Sequence, residues 1–560
     1  MNKNNLSAYY KMALCFLVAA VFSSCKKDDS LDVVPRDRLS DATVWTDAST
    51  ADVFLNDIYG KLPDGNNWYD PTENWTDNSV CGYNWPESRN IIQQASYNPS
   101  STIFIVDYGR LPYDWRLLYS YIRKCNLFME SVTASPQLAD SYKKLRIAEV
   151  RMIRAYFYHW LWMFYGGVPL VKQVLNSTEQ GDAIFIPRST FDETLDFITT
   201  ECAAAALDLP KVAAQSGRVT QGAALTLKGW CELFAGKFAA SAATNKQIID
   251  QLGGTTYTLF PDYGSFFMPE NNTNKEGIFF RQYLPRVWGG RADSYYGPTF
   301  TKGGAETSWG AVGPTQEIVD DYFMANGKSI NEPGSGYDPQ HPYENREKRF
   351  YQSIVYDATW WYNDTIYTRQ GIGSKNQIDL ADRDDATNTG YYIRKRLNDK
   401  ITLGADNWSN PGTSAQNYYY FRYAEVLLNY AEAQNEASGP DASVYNAINE
   451  IRTRANLPNL AAGLSQSAMR DAIRHERRIE LAFEDKRYWD LIRWKTAHIV
   501  LNTPVHGIAI TGTQGNFVYT PVNIAGGTKK FNNPKNYLLP IPQYAIDQNP
   551  KLQGHQNPGY

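Results

Sequence analysis

Beyond its first 25 positions the 560-residue sequence has no apolar run approaching the roughly 20 residues that a bilayer-spanning helix needs, so the mature chain reads as soluble apart from any anchor. Histidine is scarce, six residues scattered singly, which argues against a histidine-built metal centre. The six cysteines, Cys15, Cys25, Cys81, Cys125, Cys202 and Cys231, form no CxxC pair and no disulfide framework; the last three fall in helix-patterned stretches, where a buried free thiol is expected. Charge of one sign is lacking too. A formal net charge of -4, spread without long runs or a basic patch, excludes a polyanion-binding surface and with it a nucleic-acid partner. HExxH, GxSxG and Walker-type signatures are absent, and Gly229 to Gly236-Lys237 has the wrong spacing for a phosphate loop.

What is abundant is the aromatic class: 15 Trp, 39 Tyr and 24 Phe, so the placement of rings becomes the central question. The chain also opens on a recognisable leader. Lys3 and Lys11 precede an apolar stretch from Met12 to Phe22, too short to span a bilayer but matching the core of a cleavable export signal. Ser23-Ser24-Cys25 follows, then Lys26-Lys27-Asp28-Asp29. Cleavage before Cys25 would expose a thiol and an amine for acylation, and two or more acyl chains anchor a protein stably. An ordinary secretory signal with an incidental cysteine is the alternative, since Phe22 stands where lipoprotein signals usually prefer Leu.

The hydrophobic pattern is mainly that of helical hairpins. Leu145, Ala148, Met152, Ala155, His159 and Trp162 make one stripe and Ile153, Phe157, Leu161 and Phe164 another, predicting a helix over 143–165 that is buried between neighbours and stops at Gly166-Gly167. Ala223, Leu227, Trp230, Cys231 and Phe234 predict a second helix, paired across Ala235-Gly236-Lys237 with one bearing Phe238, Ala242 and Ile249. The arrangement returns near the C-terminus, where Ala424, Leu427, Leu428 and Ala431 lead through Ser438-Gly439-Pro440-Asp441 into Val444, Ile448, Ile451 and Ala455. These pairs look like degenerate tetratricopeptide units, whose repeat is about 34 residues. The expected fold is therefore mainly α, a tetratricopeptide-like scaffold carrying a long, irregular, loop-rich region with minor β structure.

That region runs from Pro261 to about Asn417, rich in Gly, Pro, Asn and Tyr, with short strand-like runs at Gly277–Phe280 and Gly390–Ile393. It is too aromatic for a solvated linker, and long loops on a rigid scaffold commonly carry binding. The expected organisation is a leader over 1–24, a helical region over 25–260, and a region over 261–560 in which the loop-rich insertion 261–417 precedes helices 418–500 that pack on the same scaffold.

Several segments together resemble SusD/RagB-type lipoproteins: the leader, the helix Glu149–Tyr158 running into Gly167-Val168-Pro169-Leu170, Pro314-Thr315-Gln316-Glu317, Arg422–Leu428, Glu476–Glu484 with Arg487–Trp494, and the terminal Asn557-Pro558-Gly559-Tyr560. The match spans essentially the whole chain in order. The resemblance implies an outer-membrane, surface-exposed lipoprotein of Bacteroidota-type bacteria, lipidated at Cys25. It would capture oligosaccharide for a SusC-like TonB-dependent transporter, without catalytic residues or cofactor, on a scaffold of about four tetratricopeptide-like helix pairs. Some members of that family handle peptide or glycoprotein material, and that alternative stays open.

A pyranose has an apolar C–H face and a rim of hydroxyls, so it stacks on exposed rings while polar side chains take the hydroxyls. Trp115, Trp160, Trp162, Trp230, Trp489 and Trp494 lie on helix-patterned segments and are expected in the core, as are the neighbouring residues of the 487–494 motif. Trp68, Trp75, Trp85, Trp288, Trp309, Trp360, Trp361 and Trp408 lie in loop-like stretches, where a ring either meets ligand or pins the loop. The layout of the resembled family narrows these to 68–85 and 288–309. Trp85, Tyr296 and Trp309 are the expected stacking arc, Trp75 and Trp288 come next, and Asn84, Arg291 and Asp293 are the polar partners. His159 is expected to be a hydrogen-bonded core residue. Asp382, Asp384 and Asp385 suggest a calcium loop only weakly, because Ala386 occupies a ligand position. A two-carboxylate glycosidase leaves no spacing signature, and a surface scaffold or adhesin needs none, so both stand as alternatives.

Overall fold

The computed structural model describes residues 44–560 apart from 87, 102–113, 302–304, 384–385 and 401–411; Cys25, Trp408, Asp384 and Asp385 lie outside the described residues. Helix α1, Ala48–Gly60, begins where the Asp47 carboxylate accepts hydrogen bonds from the Ser49 and Thr50 amides, and it buries Ala51, Leu55 and Ile58, spaced four and three apart on one face. Helix α2, Trp115–Ala134, is capped by Asp114 in the same way. Helix α3, Asp140–Tyr165, is buried over nearly all of its last 18 residues and closes at Gly166, whose φ of +76° suits glycine. Helix α4, Phe191–Asp208, opens on a reciprocal capping box between Thr190 and Glu193. Helices α5, Gln221–Phe234, and α6, Phe238–Leu252, approach closely at Gly229, where a Cβ would lie 2.6 Å from the Asn245 side chain and the carbonyl accepts from Ser241 Oγ at 2.8 Å.

After the loop region the helical pattern resumes with α8, Tyr423–Ser438, α9, Ala442–Arg454, and α10, Gln466–Glu480; the intervening α7 is the short Ala292–Tyr296. Helices α1 to α6 pack each on the next, α9 and α10 both pack on α8, and α8 packs against α6, so helices on either side of the loop region share one hydrophobic core. The fold is a tetratricopeptide-like helical scaffold. Strands among the described residues are paired in twos, and three of the six pairs matter here: β1, Ser79–Cys81, with β3, Val312–Pro314; β2, Gly277–Arg281, with β4, Tyr418–Arg422; and the hairpin β5, His506–Thr513, with β6, Asn516–Asn523.

A second apolar cluster gathers Tyr83, Tyr295, Tyr296, Val312, Trp361, Tyr391 and Tyr392 from the loops with Ile479, Ala482 and Phe483. One stripe through Ile479, Ala482, Phe483, Trp489 and Ile492 is thus divided. Phe483 and Asp485 adopt φ of +62°, which breaks the helix after α10, so the first three residues enter the loop-side cluster while Trp489 and Ile492, on α11, Arg487–Arg493, enter the helical core. Trp489 packs edge-on against Trp160 and Phe164 at 5.8 and 5.0 Å. Between the two clusters lies a buried ionic network. Arg422 pairs with Glu276, Glu480 and Glu484 at 2.6–2.7 Å, Arg349 with Glu347, Glu476 and Glu480, and Lys395 with Glu484. The Glu476–Glu484 motif is therefore the ionic joint between scaffold and loops. The terminal Asn557 is structural as well: its amide donates to the Tyr165 and Leu539 carbonyls at 3.0 and 2.7 Å and it accepts from Arg188, sealing the end of α3. His159 is buried, its Nδ1 lies 3.2 Å from the Tyr156 carbonyl, and burial pushes its pKa down to about 3, so it is a neutral core residue.

Candidate functional site

Two chain segments more than 200 residues apart are brought side by side by the β1–β3 pairing, in which Ser79 faces Pro314, Val80 faces Gly313 and Cys81 faces Val312. The Gly82 amide extends the ladder to the Ala311 carbonyl at 3.2 Å, and a Cβ at Gly82 would sit 2.2 Å from the Gly310 carbonyl oxygen, so only glycine lets the strands approach here. On the other side, 309–311 is laid along α7 by hydrogen bonds from the Trp309, Gly310 and Ala311 amides to Ser294, Gly297 and Tyr295 carbonyls. Tyr83 donates to the Tyr295 carbonyl at 3.2 Å.

This frame assembles five rings. Tyr69, Tyr295 and Trp309 are near-parallel, with interplanar angles of 27°, 12° and 18° and centroids 4.8, 5.3 and 6.2 Å apart. Tyr83 and Trp85 form a second stacked pair, 5.4 Å and 12°. The two sets meet nearly at right angles, Trp85 edge-on to Tyr69 at 69° and Tyr83 edge-on to Trp309 at 82°. Tyr83 and Tyr295 are buried and back the corner; Trp85 is 43% exposed, and Tyr69 and Trp309 are half-buried. Burial raises the phenol pKa of Tyr83 and Tyr295, so the backing rings stay neutral. Arg291 lies at the edge, donating to the Tyr295 hydroxyl at 2.9 Å with its guanidinium 5.9 Å from that ring. Asn84, exposed beside Trp85, donates to the Asp382 carbonyl at 3.0 Å, and Arg89 pairs with the Asp382 carboxylate at 2.8 Å, which clasps the Trp85 loop in place.

Three expected site residues are corrected. Tyr296 is 2% exposed and its hydroxyl, 2.8 Å from both the Gly65 and Trp68 carbonyl oxygens, shares its one proton between them, so it anchors the loop that presents Tyr69 and has no face for a ligand. Trp75 is also 2% exposed, edge-on to Tyr488 at 5.3 Å with its indole N–H on Asp70. Asp293 is buried and accepts from Ser414, Gln416 and the Asn398 amide, a bracket for the loops rather than a sugar ligand. Trp288 is exposed but stands apart from the ring corner. Of the remaining loop tryptophans, Trp68 is half-buried edge-on to Tyr418, Trp361 is buried and Trp360 is exposed. Tyr69, Tyr83 and Tyr295 were not among the expected residues. Their only sequence signal is adjacency to other loop rings, as Trp68-Tyr69, Tyr83-Asn84-Trp85 and Tyr295-Tyr296.

The corner is joined to the scaffold by Glu73. It is buried in the turn between Tyr69 and β1, one carboxylate oxygen accepts from Asn78 and from the Phe483 amide, and the other has no hydrogen-bond partner among the described residues. Burial, reinforced by the nearby Asp485 carboxylate, outweighs those two donors and raises its pKa to about 7 from 4.5. A carboxyl whose folded value is raised lends stability fully present below 4.5 and lost as pH rises through about 7. Glu73→Gln keeps the acceptor oxygen and removes the ionisation. Its melting temperature should match wild type near pH 4.5 and exceed it increasingly up to pH 8.5. At about 1.4 kcal/mol per tenfold change in protonation equilibrium, the gap is on the order of 3 kcal/mol once the pH is above 7. A pH-independent difference in calorimetric melts would rule this out.

Among the described residues no group of three or more His, Cys, Asp or Glu is placed to hold a metal ion, and no helix is long and apolar enough to cross a membrane. The helical-hairpin scaffold thus presents to solvent a corner of neutral rings whose two planes meet near a right angle. Residues 275–560 match the SusD family, and residues 31–228 match a family described as starch-binding and associating with the outer membrane; the chain belongs to the SusD family. It is 25% identical over 468 residues to SusD-like protein P2 of Formosa agariphila, covering 81% of each chain. It is 24% identical over 449 residues to the starch-binding protein SusD of Bacteroides thetaiotaomicron, covering 74% of each. A SusD-like carbohydrate-binding protein from Bacteroides fragilis superposes with a TM-score of 0.76 at 27% identity, over 91% of this chain and 100% of that one.

Proposed function

We propose that the protein is a cell-surface glycan-binding lipoprotein, not an enzyme, that captures oligosaccharide at the ring corner and delivers it to a SusC-like TonB-dependent outer-membrane transporter. The observation that carries this reading is the pair of ring planes meeting near a right angle, with Tyr69, Trp85 and Trp309 toward solvent. Such a corner grips the apolar C–H face of one sugar and the edge of the next. Arg291 and Asn84 stand beside it to take hydroxyl groups. Membership of the SusD family and the names of its relatives, starch-binding and carbohydrate-binding, support a neutral saccharide as cargo. Isothermal calorimetry of the mature protein against glycans selected on a glycan microarray tests it: saturable binding without hydrolysis is expected, and binding only to peptides would overturn it.

Anchoring follows from the leader, and Cys25 is the proposed lipidated residue. Cys25→Ala should move the protein from the membrane fraction to the soluble fraction of cells. A variant that stays membrane-bound would remove Cys25 as the anchor.

A further inference from the structure

Trp288 sits on a tight turn whose conformation is held by backbone hydrogen bonds, from the Trp288 amide to the Leu284 carbonyl at 2.7 Å and from the Leu284 amide back at 3.2 Å. The Arg286 amide donates to Gly412 at 2.9 Å, and Gly290 and Ser414 exchange two bonds of 2.9 Å, so the turn is pinned at its tip and at its base. The indole it carries is 74% exposed. A large ring held this far out on a fixed turn is neither core nor loop anchor.

The ring borders a groove of about 900 Å³ whose opposite wall is α1 and whose end is the 215–218 loop. That is the size of clefts that enclose small ligands, roughly 300–1,000 Å³. Its polar groups are fixed. Arg218 donates to Asn56 at 3.0 Å, with its guanidinium 5.0 Å from the Tyr59 ring. Arg281 donates to the Leu62 carbonyl at 2.9 Å, and Gln282 to Ser216 at 3.2 Å. The charges there are matched within the protein: Lys61 with Asp57 at 2.9 Å, Arg281 with Asp64 at 3.4 Å and Arg218 with Asp52 at 4.0 Å. A groove with compensated charges has no field to attract a polyanion. What it offers is one flat apolar face opposite amide and guanidinium groups, the complement of a neutral polyol with a C–H face.

We infer that this groove is a second saccharide-binding site, distinct from the ring corner, with Trp288 as its stacking surface and Asn56 and Gln282 as polar contacts. The inference rests on the glycan reading of the corner. The segment 283–296 carries Trp288 toward the groove and Arg291 and Tyr295 toward the corner, so a polysaccharide can engage both and gain avidity without any new contact.

The test uses the mature protein and the polysaccharide and oligosaccharide selected on a glycan microarray. Trp85→Ala/Trp309→Ala, which cripples the corner, should retain weak saturable binding of the polysaccharide by calorimetry. Adding Trp288→Ala should lower that residual affinity at least tenfold, and Gln282→Ala, at the end of the groove beside Ser216, should weaken it in the same direction with the turn intact. If the crippled protein binds nothing although wild type binds, or if its residual binding survives Trp288→Ala, the groove is not a saccharide site while the corner stands. Absence of any glycan binding by wild type overturns both readings. Loss of a protein partner on Trp288→Ala with glycan binding intact would make the turn a docking knob instead.

Discussion

Trp309→Ala should weaken oligosaccharide binding about 5- to 150-fold, because a stacking ring contributes roughly 1–3 kcal/mol and 1.4 kcal/mol is tenfold. The geometry explains why the loss should be near the upper end. Trp309 belongs to the plane of Tyr69 and Tyr295 and also supports the edge of Tyr83, so its removal erases one wall of the corner and loosens the other. Its contacts with three rings mean that the variant should also melt lower, although the ring sits on a glycine-rich loop. Trp85→Ala is the cleaner probe, since that ring is 43% exposed and contacts the corner from outside; its binding loss should come with a melting temperature near wild type. Calorimetry at low and high salt completes the test. Neutral rings and a neutral sugar predict an affinity insensitive to ionic strength, and an affinity that collapses in salt would mean a charged cargo.

Arg422→Met should destabilise the protein by about 3–5 kcal/mol or prevent folding altogether. The side chain is almost fully buried, and its guanidinium is shared among Glu276, Glu480 and Glu484. Burial opposes ionisation of Glu480, but Arg454, Arg422 and Arg349 outweigh it and hold the carboxyl well below the usual carboxylate range; Glu484 is held down by Arg422 and Lys395 against the same burial penalty. Taking away Arg422 leaves buried carboxylates short of countercharge. Such depressed carboxyls lend stability that is fully present above their unfolded value of 4.5 and lost as pH falls from there through the folded ones, so wild type should lose stability progressively below about pH 4.5. Arg422→Met should already melt low at pH 7, with a smaller acid-induced decrement. A variant with wild-type melting at pH 7 would mean that the joint between scaffold and loops is apolar rather than ionic.

The helices were legible because their signal is local. The apolar spacing of 143–165, like that of 223–249 and 424–455, repeats within a few turns whatever the rest of the chain does. The rings were less legible because exposure is not a local property. Trp75 and Trp85 lie ten residues apart in the same polar stretch, yet one is packed on Tyr488, more than 400 residues later, and the other faces solvent. Tyr295 and Tyr296 are adjacent, and the helical turn of α7 sends one to the back of the corner and the other onto the Gly65 and Trp68 carbonyls.

From the sequence alone came the helical-hairpin class and the core tryptophans Trp115, Trp160, Trp162, Trp230 and Trp489, since hydrophobic period and glycine stops act over distances of a few residues, while the choice of segments 68–85 and 288–309 came from the family resemblance. Tertiary structure alone decided which rings face solvent and which are buried. That choice was made by the β1–β3 register and the Arg89–Asp382 clasp, contacts spanning hundreds of residues whose partners no local pattern reveals. It also decided that Trp288 stands on the rim of a separate groove, because the position of its turn depends on bonds to Gly412 and Ser414 more than 120 residues away.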